Sequence, residues 1–206
     1  MKLIDLSHTI HPGLTVFPED PQISLIQVKD YHRDGYNNFQ LITGMHVGTH
    51  LDGPMHLTAS KSFISELPLE SFTGKGIVID VHDKNLIELK HIKHYLIEAG
   101  DIVLFYSGYD KFYGKDEYYT NYPVFDEELA HYLVELKVKM IGIDWFSPDL
   151  RPYPIHEILL KNNILILENL TNLDFLLSGP AFEIFAFPLK INADSSIVRA
   201  VAKIGD

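Results

Sequence analysis

A chain of 206 residues with 46% hydrophobic and 22% charged residues has the composition of an ordinary soluble globular protein, long enough to bury a substantial core. Lys and Arg number 17 against 28 Asp and Glu, a formal net charge of -11 that leaves no basic stripe for phosphates and argues against a nucleic-acid partner. The absence of cysteine removes disulfides, iron–sulfur clusters and thiolate sites, so any metal must be held by nitrogen and oxygen.

Residues 1–8 break their apolar run at Asp5 and His8 and do not read as a signal peptide. No stretch approaches the ~18 apolar residues of a membrane span, so the expectation is a cytoplasmic protein with no membrane partner. Residues 3–6 read as a short strand, and the segments 11–13 and 17–21 are rich in turn-forming residues. Strands are expected at 23–28, 39–42 and 76–81, the last as a short apolar run of the kind buried on both faces. A helix is expected over 87–99, stopped by Gly100, and a strand over 102–106.

The clearest helix covers 126–136. Asp126 is placed to cap it, Glu127 and Glu128 suit the positive end of its dipole, and Leu129, Tyr132, Leu133 and Leu136 form one apolar face. Beyond it come a strand at 140–143, a short helix at 155–161, and strands at 164–167, 182–187 and 197–201. No repeat, low-complexity tract or linker interrupts the chain, so residues 1–206 read as a single compact domain. Early strands followed by alternating strands and helices predict an α/β fold with a mixed sheet.

Residues 46–56 carry the most chemical information: His-Val-Gly-Thr-His-Leu-Asp-Gly-Pro-Met-His. His46, His50, Asp52 and His56 lie at even spacings, and on a strand all four would face one side. Gly48, Gly53 and Pro54 speak against a helix here. Imidazole and carboxylate together suit zinc, manganese or iron(II). The plainer alternative is a set of hydrogen-bonded histidines around a turn.

A metal centre needs further ligands from elsewhere in the chain, and His156 and Glu168 are the candidates. Glu168 follows an apolar run, and a carboxylate at the end of a buried strand needs a partner. That partner is a metal, or else Arg151 or Arg199. The His-Glu-x-x-His pattern fails because Leu160 stands where the second histidine belongs. His91 and His94 are expected on the surface of the 87–99 helix, and His8 and His11 in solvent beside a turn. Phe17, Tyr106, Tyr109, Trp145 and Phe146 lie near predicted strand ends or turns, where pockets open, although core packing is the commoner explanation for any one of them.

The chain resembles the cyclase family of metal-dependent hydrolases, which includes bacterial kynurenine formamidase and isatin hydrolase. The family's His-x-Gly-Thr-His-x-Asp-x-Pro-x-His hallmark is intact from His46 to His56. Similarity extends to Asp5-Leu6-Ser7, the Phe17 to Pro21 loop, Ser107-Gly108-Tyr109-Asp110, Gly142-Ile143-Asp144, and His156 through Asn169-Leu170.

The resemblance implies a swivelling β/β/α fold and a homodimer or larger homo-oligomer acting on a small-molecule substrate. It implies His46, His50, Asp52, His156 and Glu168 as ligands of one or two divalent ions, zinc first and manganese second. Asp52 and Glu168 would bridge the ions and His56 would carry the proton. The implied activity is hydrolysis of a carbon–nitrogen amide bond in a small aromatic substrate, as an arylformamidase of tryptophan catabolism does. An isatin hydrolase-like opening of a cyclic amide, a lyase or dehydratase reaction on a small carbonyl compound, and a purely structural metal are the competing readings.

The sequence departs from the formamidase pattern at three places. Phe17 stands where those enzymes carry a substrate-stacking tryptophan, which makes it a candidate substrate contact. Trp145-Phe146 replaces a smaller pair, and Ala193-Asp194-Ser195-Ser196 replaces Ala-Asp-Gly-Ser.

Overall fold

Short apolar segments of the middle of the chain lie side by side as a parallel core, and the ends of the chain extend that core antiparallel on both flanks. The computed structural model describes residues 1–205, the side chain of Asp116 excepted. In chain order the first strands are β1 (Lys2–Asp5), β2 (Ser24–Lys29), β3 (Asn38–Ile42) and β4 (His50–Asp52), with the one-turn helix α1 (Tyr31–Asp34) between β2 and β3. Next come β5 (Thr73–Asp80), β6 (Leu86–Ile87), β7 (Ile102–Tyr106), β8 (Val124–Phe125), helix α2 (Glu127–Leu136) and β9 (Met140–Ile143). Helix α3 (Pro154–Lys161), β10 (Leu165–Glu168), β11 (Phe182–Phe185), β12 (Ser195–Ile197) and β13 (Val201–Ile204) complete the chain.

Among the described residues the main sheet has nine strands in the order β1-β13-β11-β5-β7-β9-β10-β4-β12. The pairs β5–β7, β7–β9 and β9–β10 are parallel, and the pairs of β4, β11, β12 and β13 with their other neighbours are antiparallel. This is the mixed α/β sheet that the order of elements predicted. Strands β9 and β10 are buried throughout. One face packs Val103, Phe105, Ile141 and Ile143 against Leu129 and Leu133 of α2 and Ile155 and Leu159 of α3. The other face gathers Leu51, Leu104, Leu165, Leu167 and Ile184.

Helix α2 forms as expected: the Leu129 N–H donates to Asp126, and Leu129, Ala130 and Leu133 are buried. The helix expected over 87–99 does not form. Leu86 and Ile87 pair with Val124 and Phe125, and a 3-10 turn covers Leu89–His91. Burial explains why. Ile87, Ile92 and Ile97 are buried at a five-residue interval, whereas a helical face through Ile87 would carry His91, His94 and Glu98.

The strand expected over 197–201 is two strands with a crossing between them. Ile197 pairs with His50 at one end of the main sheet, and Val201 pairs with Asp5 and Phe185 near the other. Four Cα steps reach at most about 14 Å, so the sheet curls until its two ends nearly meet. Strands β2 and β3 stand apart as a separate hairpin, with Phe39 and Ile42 more than half exposed (58% and 59%).

Candidate metal centre and its cavity

Strand β4 lies between β10 and β12, which sets the register of the site. Glu168 is opposite His50, and Ser195 is opposite Asp52. His50 and Asp52, two residues apart on one strand, share a face. A strand carries only two of the four evenly spaced residues: β4 holds His50–Asp52. His46 and His56 approach from turns on either side, one through Gly48 at φ +66 and the other through a His56 N–H bond to the Gly53 carbonyl. His156 enters from the first turn of α3, whose Pro154 suits a helix start. Glu168 ends β10, so the cluster sits at the carboxyl ends of the central parallel strands, where α/β sheets bind ligands.

Two donor groups form there, His46/Asp52/His56 and His50/Asp52/Glu168, each with its atoms within 4.8 Å of one another and Asp52 common to both. His50 Nε2 is 3.5 Å from Asp52 Oδ1 and 3.4 Å from Glu168 Oε2. His156 Nε2 is 3.3 Å from Glu168 Oε1 and 3.7 Å from Asp52 Oδ2. These separations exceed the ~2.7–2.9 Å of a charged hydrogen bond. The two to Glu168, 3.4 and 3.3 Å, match the ~3.3–3.4 Å edge of a tetrahedron with bonds of ~2.0–2.1 Å, and the two to Asp52, 3.5 and 3.7 Å, lie somewhat above it. His50 Nε2, both oxygens of Asp52 and Glu168 Oε1 are buried with no hydrogen-bond partner among the described residues. Buried atoms in that condition are costly unless a cation collects them. The residues therefore fit a divalent ion with nitrogen and oxygen ligands.

The surrounding hydrogen bonds aim the imidazoles. His50 donates from Nδ1 to the Gly48 carbonyl at 2.8 Å, and His156 donates from Nδ1 to Asp149 at 2.7 Å, so in both rings Nε2 faces the cluster. Asp149 also accepts from the Ile155 and His156 backbone N–H groups and so caps α3. Asp194 accepts from His46 Nε2 at 2.8 Å and from His56 Nδ1 at 3.1 Å. His46 Nδ1 lies 2.9 Å from Asp52 Oδ1.

Burial disfavours the charged form of His46, but Asp52 and Asp194 outweigh it and lift its pKa to about 10. His50 and His156 are also raised against burial, His50 by Glu168 and Asp52, His156 by Asp149, Asp52 and Glu168. The bonds from His46 and His56 hold Asp194 well below the usual carboxylate range.

Sequence reasoning passed over Asp149 and Asp194 as functional residues. Asp149 carried a readable signal, an acidic residue shortly before a Pro-initiated helix. Asp194 stood within the segment set against the family's Ala-Asp-Gly-Ser, but only the fold brings it to the histidines. The alternative partners for Glu168 are engaged elsewhere: Arg151 pairs with Glu19, and Arg199 with Asp5. His8, expected in solvent, is partly buried and stacks on Tyr113 with ring centres 3.6 Å apart.

A cavity of about 300 Å³ opens over the cluster. Phe17 lines it and stacks on Phe146, and Tyr119 meets both rings edge-on. Trp145 is fully buried against Phe125 instead, and Tyr106 and Tyr109 do not reach the cavity wall.

Residues 4–150 match the putative cyclase family. The chain belongs to that family. Kynurenine formamidase of Delftia acidovorans is 33% identical over 215 residues, covering 98% of this chain and 97% of that protein. The kynurenine formamidase of Salinibacter ruber is 30% identical over 216 residues, covering 98% of each. Isatin hydrolase A from Labrenzia aggregata, solved with benzyl benzoate bound, superposes with a TM-score of 0.86 at 25% identity, covering 100% of this chain and 94% of that one. This cyclase-family chain therefore shares its fold with isatin hydrolase A along its full length.

Proposed function

We propose that the protein is a metal-dependent hydrolase that cuts the carbon–nitrogen bond of a small aromatic amide, a formanilide-type compound in the first instance. The observation that carries this reading is the set of buried, partnerless donor atoms of His50, Asp52 and Glu168 under an aromatic-walled cavity. His46, His50, Asp52, His156 and Glu168 would hold one or two ions, zinc before manganese. A divalent ion bound there supplies Lewis acidity and lowers the pKa of water from 15.7 to ~7.

The chain's own residues supply the rest. Phe17 and Phe146 would hold the aromatic ring, and the cavity would limit the substrate to a small molecule. His56 keeps its Nδ1 proton on Asp194, which leaves Nε2 to take a proton from the attacking water. As the water oxygen joins the carbonyl carbon and the carbon–nitrogen bond breaks, His56 would return that proton to the leaving nitrogen. An amine leaves poorly unless protonated, so this delivery is the step the histidine is there to perform.

Opening of a cyclic amide is the second reading, supported by the similarity to isatin hydrolase A. The decisive experiment is elemental analysis of the purified protein together with assays on formanilide, N-formylkynurenine, isatin and cyclic imides. Bound zinc or manganese with turnover of the open-chain formamides supports the first reading, and turnover of isatin alone supports the second. A metal-loaded protein inactive on the whole set would remove both.

We take the working unit to be a homodimer or larger homo-oligomer. Support comes from the β2–β3 hairpin, where Ile26, Phe39, Leu41 and Ile42 stand exposed outside the main sheet. Light scattering that returned the mass of one chain would remove that part.

A further inference from the structure

The antiparallel pairing of β4 with β10 ends at His50 and Glu168, and one side chain carries the contact a step further. Asn169 follows Glu168 in a left-handed backbone conformation, φ +57, which asparagine tolerates better than most residues. Its N–H donates to the Trp145 carbonyl at 3.0 Å, and its own carbonyl accepts from Thr49 Oγ1 at 2.6 Å. The buried side chain is thereby turned onto the loop that joins His46 to His50.

Three groups meet there. Asn169 Nδ2 donates to the Gly48 carbonyl at 2.9 Å, and His50 Nδ1 donates to the same oxygen at 2.8 Å. The two nitrogens stand 3.3 Å apart, as donors sharing one acceptor do. A carbonyl only accepts, so it fixes which end of the amide faces it: Nδ2 turns to Gly48 and Oδ1 turns away. Oδ1 then needs a donor, and the Tyr118 hydroxyl supplies one at 2.7 Å. Tyr118 is fully buried, with its ring edge-on to Tyr113 and Tyr119. Burial holds its phenol well above the ordinary range, so the proton stays on the oxygen and is there to donate.

The chain of bonds matters because a neutral histidine offers its Nε2 lone pair only while Nδ1 keeps the proton. The acceptor for that proton belongs to Gly48, at φ +66, a residue with no side chain of its own to hold its peptide still. The bond from Asn169 is what pins that peptide from the other strand.

We propose that Asn169 is a positioning residue for the metal centre: by pinning the Gly48 carbonyl it fixes the tautomer and ring plane of His50, and Tyr118 acts through it by fixing the amide. The proposal rests on reading the donor cluster as a divalent-ion site and is independent of the substrate.

The test uses the full-length protein, zinc and three variants: Asn169→Gly, Tyr118→Phe and the two combined. Glycine accepts the left-handed backbone, so Asn169→Gly removes the amide without backbone strain. Zinc affinity, read by competition with a chelator, should fall about 10–100-fold, as loss of an outer partner of a metal-binding histidine does. Tyr118→Phe should lower it about fivefold, the worth of one neutral hydrogen bond. In the double variant the tyrosine change should weaken zinc no further than Asn169→Gly alone. That variant should also melt higher than Asn169→Gly when metal-free, because its buried phenol no longer lacks an acceptor. In NMR spectra of the zinc-loaded protein, the His50 Nδ1–H resonance of the wild type should be lost to solvent exchange in Asn169→Gly.

Equal zinc affinity in the wild type and Asn169→Gly would overturn the assignment, and a lower melting temperature beside it would mark the amide as structural. A Tyr118→Phe loss of the same size with and without the amide would also overturn it, as would a retained His50 resonance. A wild type that takes up no zinc would bring down the metal-site reading itself, and this inference with it.

Discussion

Glu168 of β10 faces His50 of β4 across an antiparallel pair, with Oε2 and Nε2 3.4 Å apart and both side chains buried. That separation is too long for a strong ion pair and right for two ligands of one ion. Glu168→Gln removes a negative charge from a cluster that would hold divalent cations. The expected outcome is loss of at least one ion per chain, read by elemental analysis of the purified variant. Full metal content in the variant would take Glu168 out of the ligand set.

His56 is the proposed proton carrier, oriented by Asp194. His56→Ala should lower kcat by ~10²–10⁴ while the ion stays bound. Asp194→Ala should lower it in the same direction by a smaller factor, since it frees the ring without removing it. Wild-type turnover in His56→Ala would end the assignment.

Asp149 does two separate things: it orients His156 and it caps α3. Asp149→Ala should weaken metal binding by ~10–100-fold. The same change should lower stability by about 1 kcal/mol through the lost cap. Asp149→Asn keeps an oxygen for the helix N–H groups, so it should recover most of the stability and less of the metal affinity. Parallel chemical denaturation and metal titration would separate the two effects.

The histidine pKa values set the direction of pH dependence. His46, raised from 6.5 to about 10, stabilises the metal-free fold fully below 6.5, and that contribution is lost as pH rises toward 10. His50 and His156 shift in the same direction. A cation must displace these protons, so zinc affinity should climb with pH by at least about tenfold per unit between pH 6.5 and 9. The gap in melting temperature between metal-loaded and metal-free protein should widen over the same range. A gap that narrows would contradict protonated histidines in the metal-free cluster.

Gly53 holds the Asp194 segment at close range. Its N–H donates to the Asp194 carbonyl at 3.0 Å, and a Cβ at Gly53 would lie 2.7 Å from that backbone oxygen. Gly53→Ala should lower stability by ~1–3 kcal/mol, as overpacking does, and should also reduce kcat by displacing Asp194 from His56. Thermal melting and single-turnover kinetics would check both. A variant as stable and active as the wild type would mean that the β12 segment can move aside.

Much was legible from residue order alone because it depended on local rules. The α2 helix follows from the Asp126 cap and the spacing of its leucines, and the central strands follow from short apolar runs. His50 and Asp52 share a face because a strand alternates with a period of two. Glu168 announced itself as a carboxylate that could not be left alone at the end of a buried strand.

What residue order could not give depended on pairings between distant segments. The stretch 87–99 has helix-forming residues but burial at a five-residue interval, and its pairing with Val124 and Phe125 overrode the local preference. The reversal of partners between Ile197 and Val201 curls the sheet and brings Asp194 beside His46 and His56. The sequence by itself determined which donor atoms the protein has and which of them share a local face, since side-chain chemistry and strand or helix periodicity are properties of neighbours along the chain. Only the tertiary structure decided which donors meet and which aromatic rings wall the cavity, because contacts across more than a hundred residues are set by sheet register and packing.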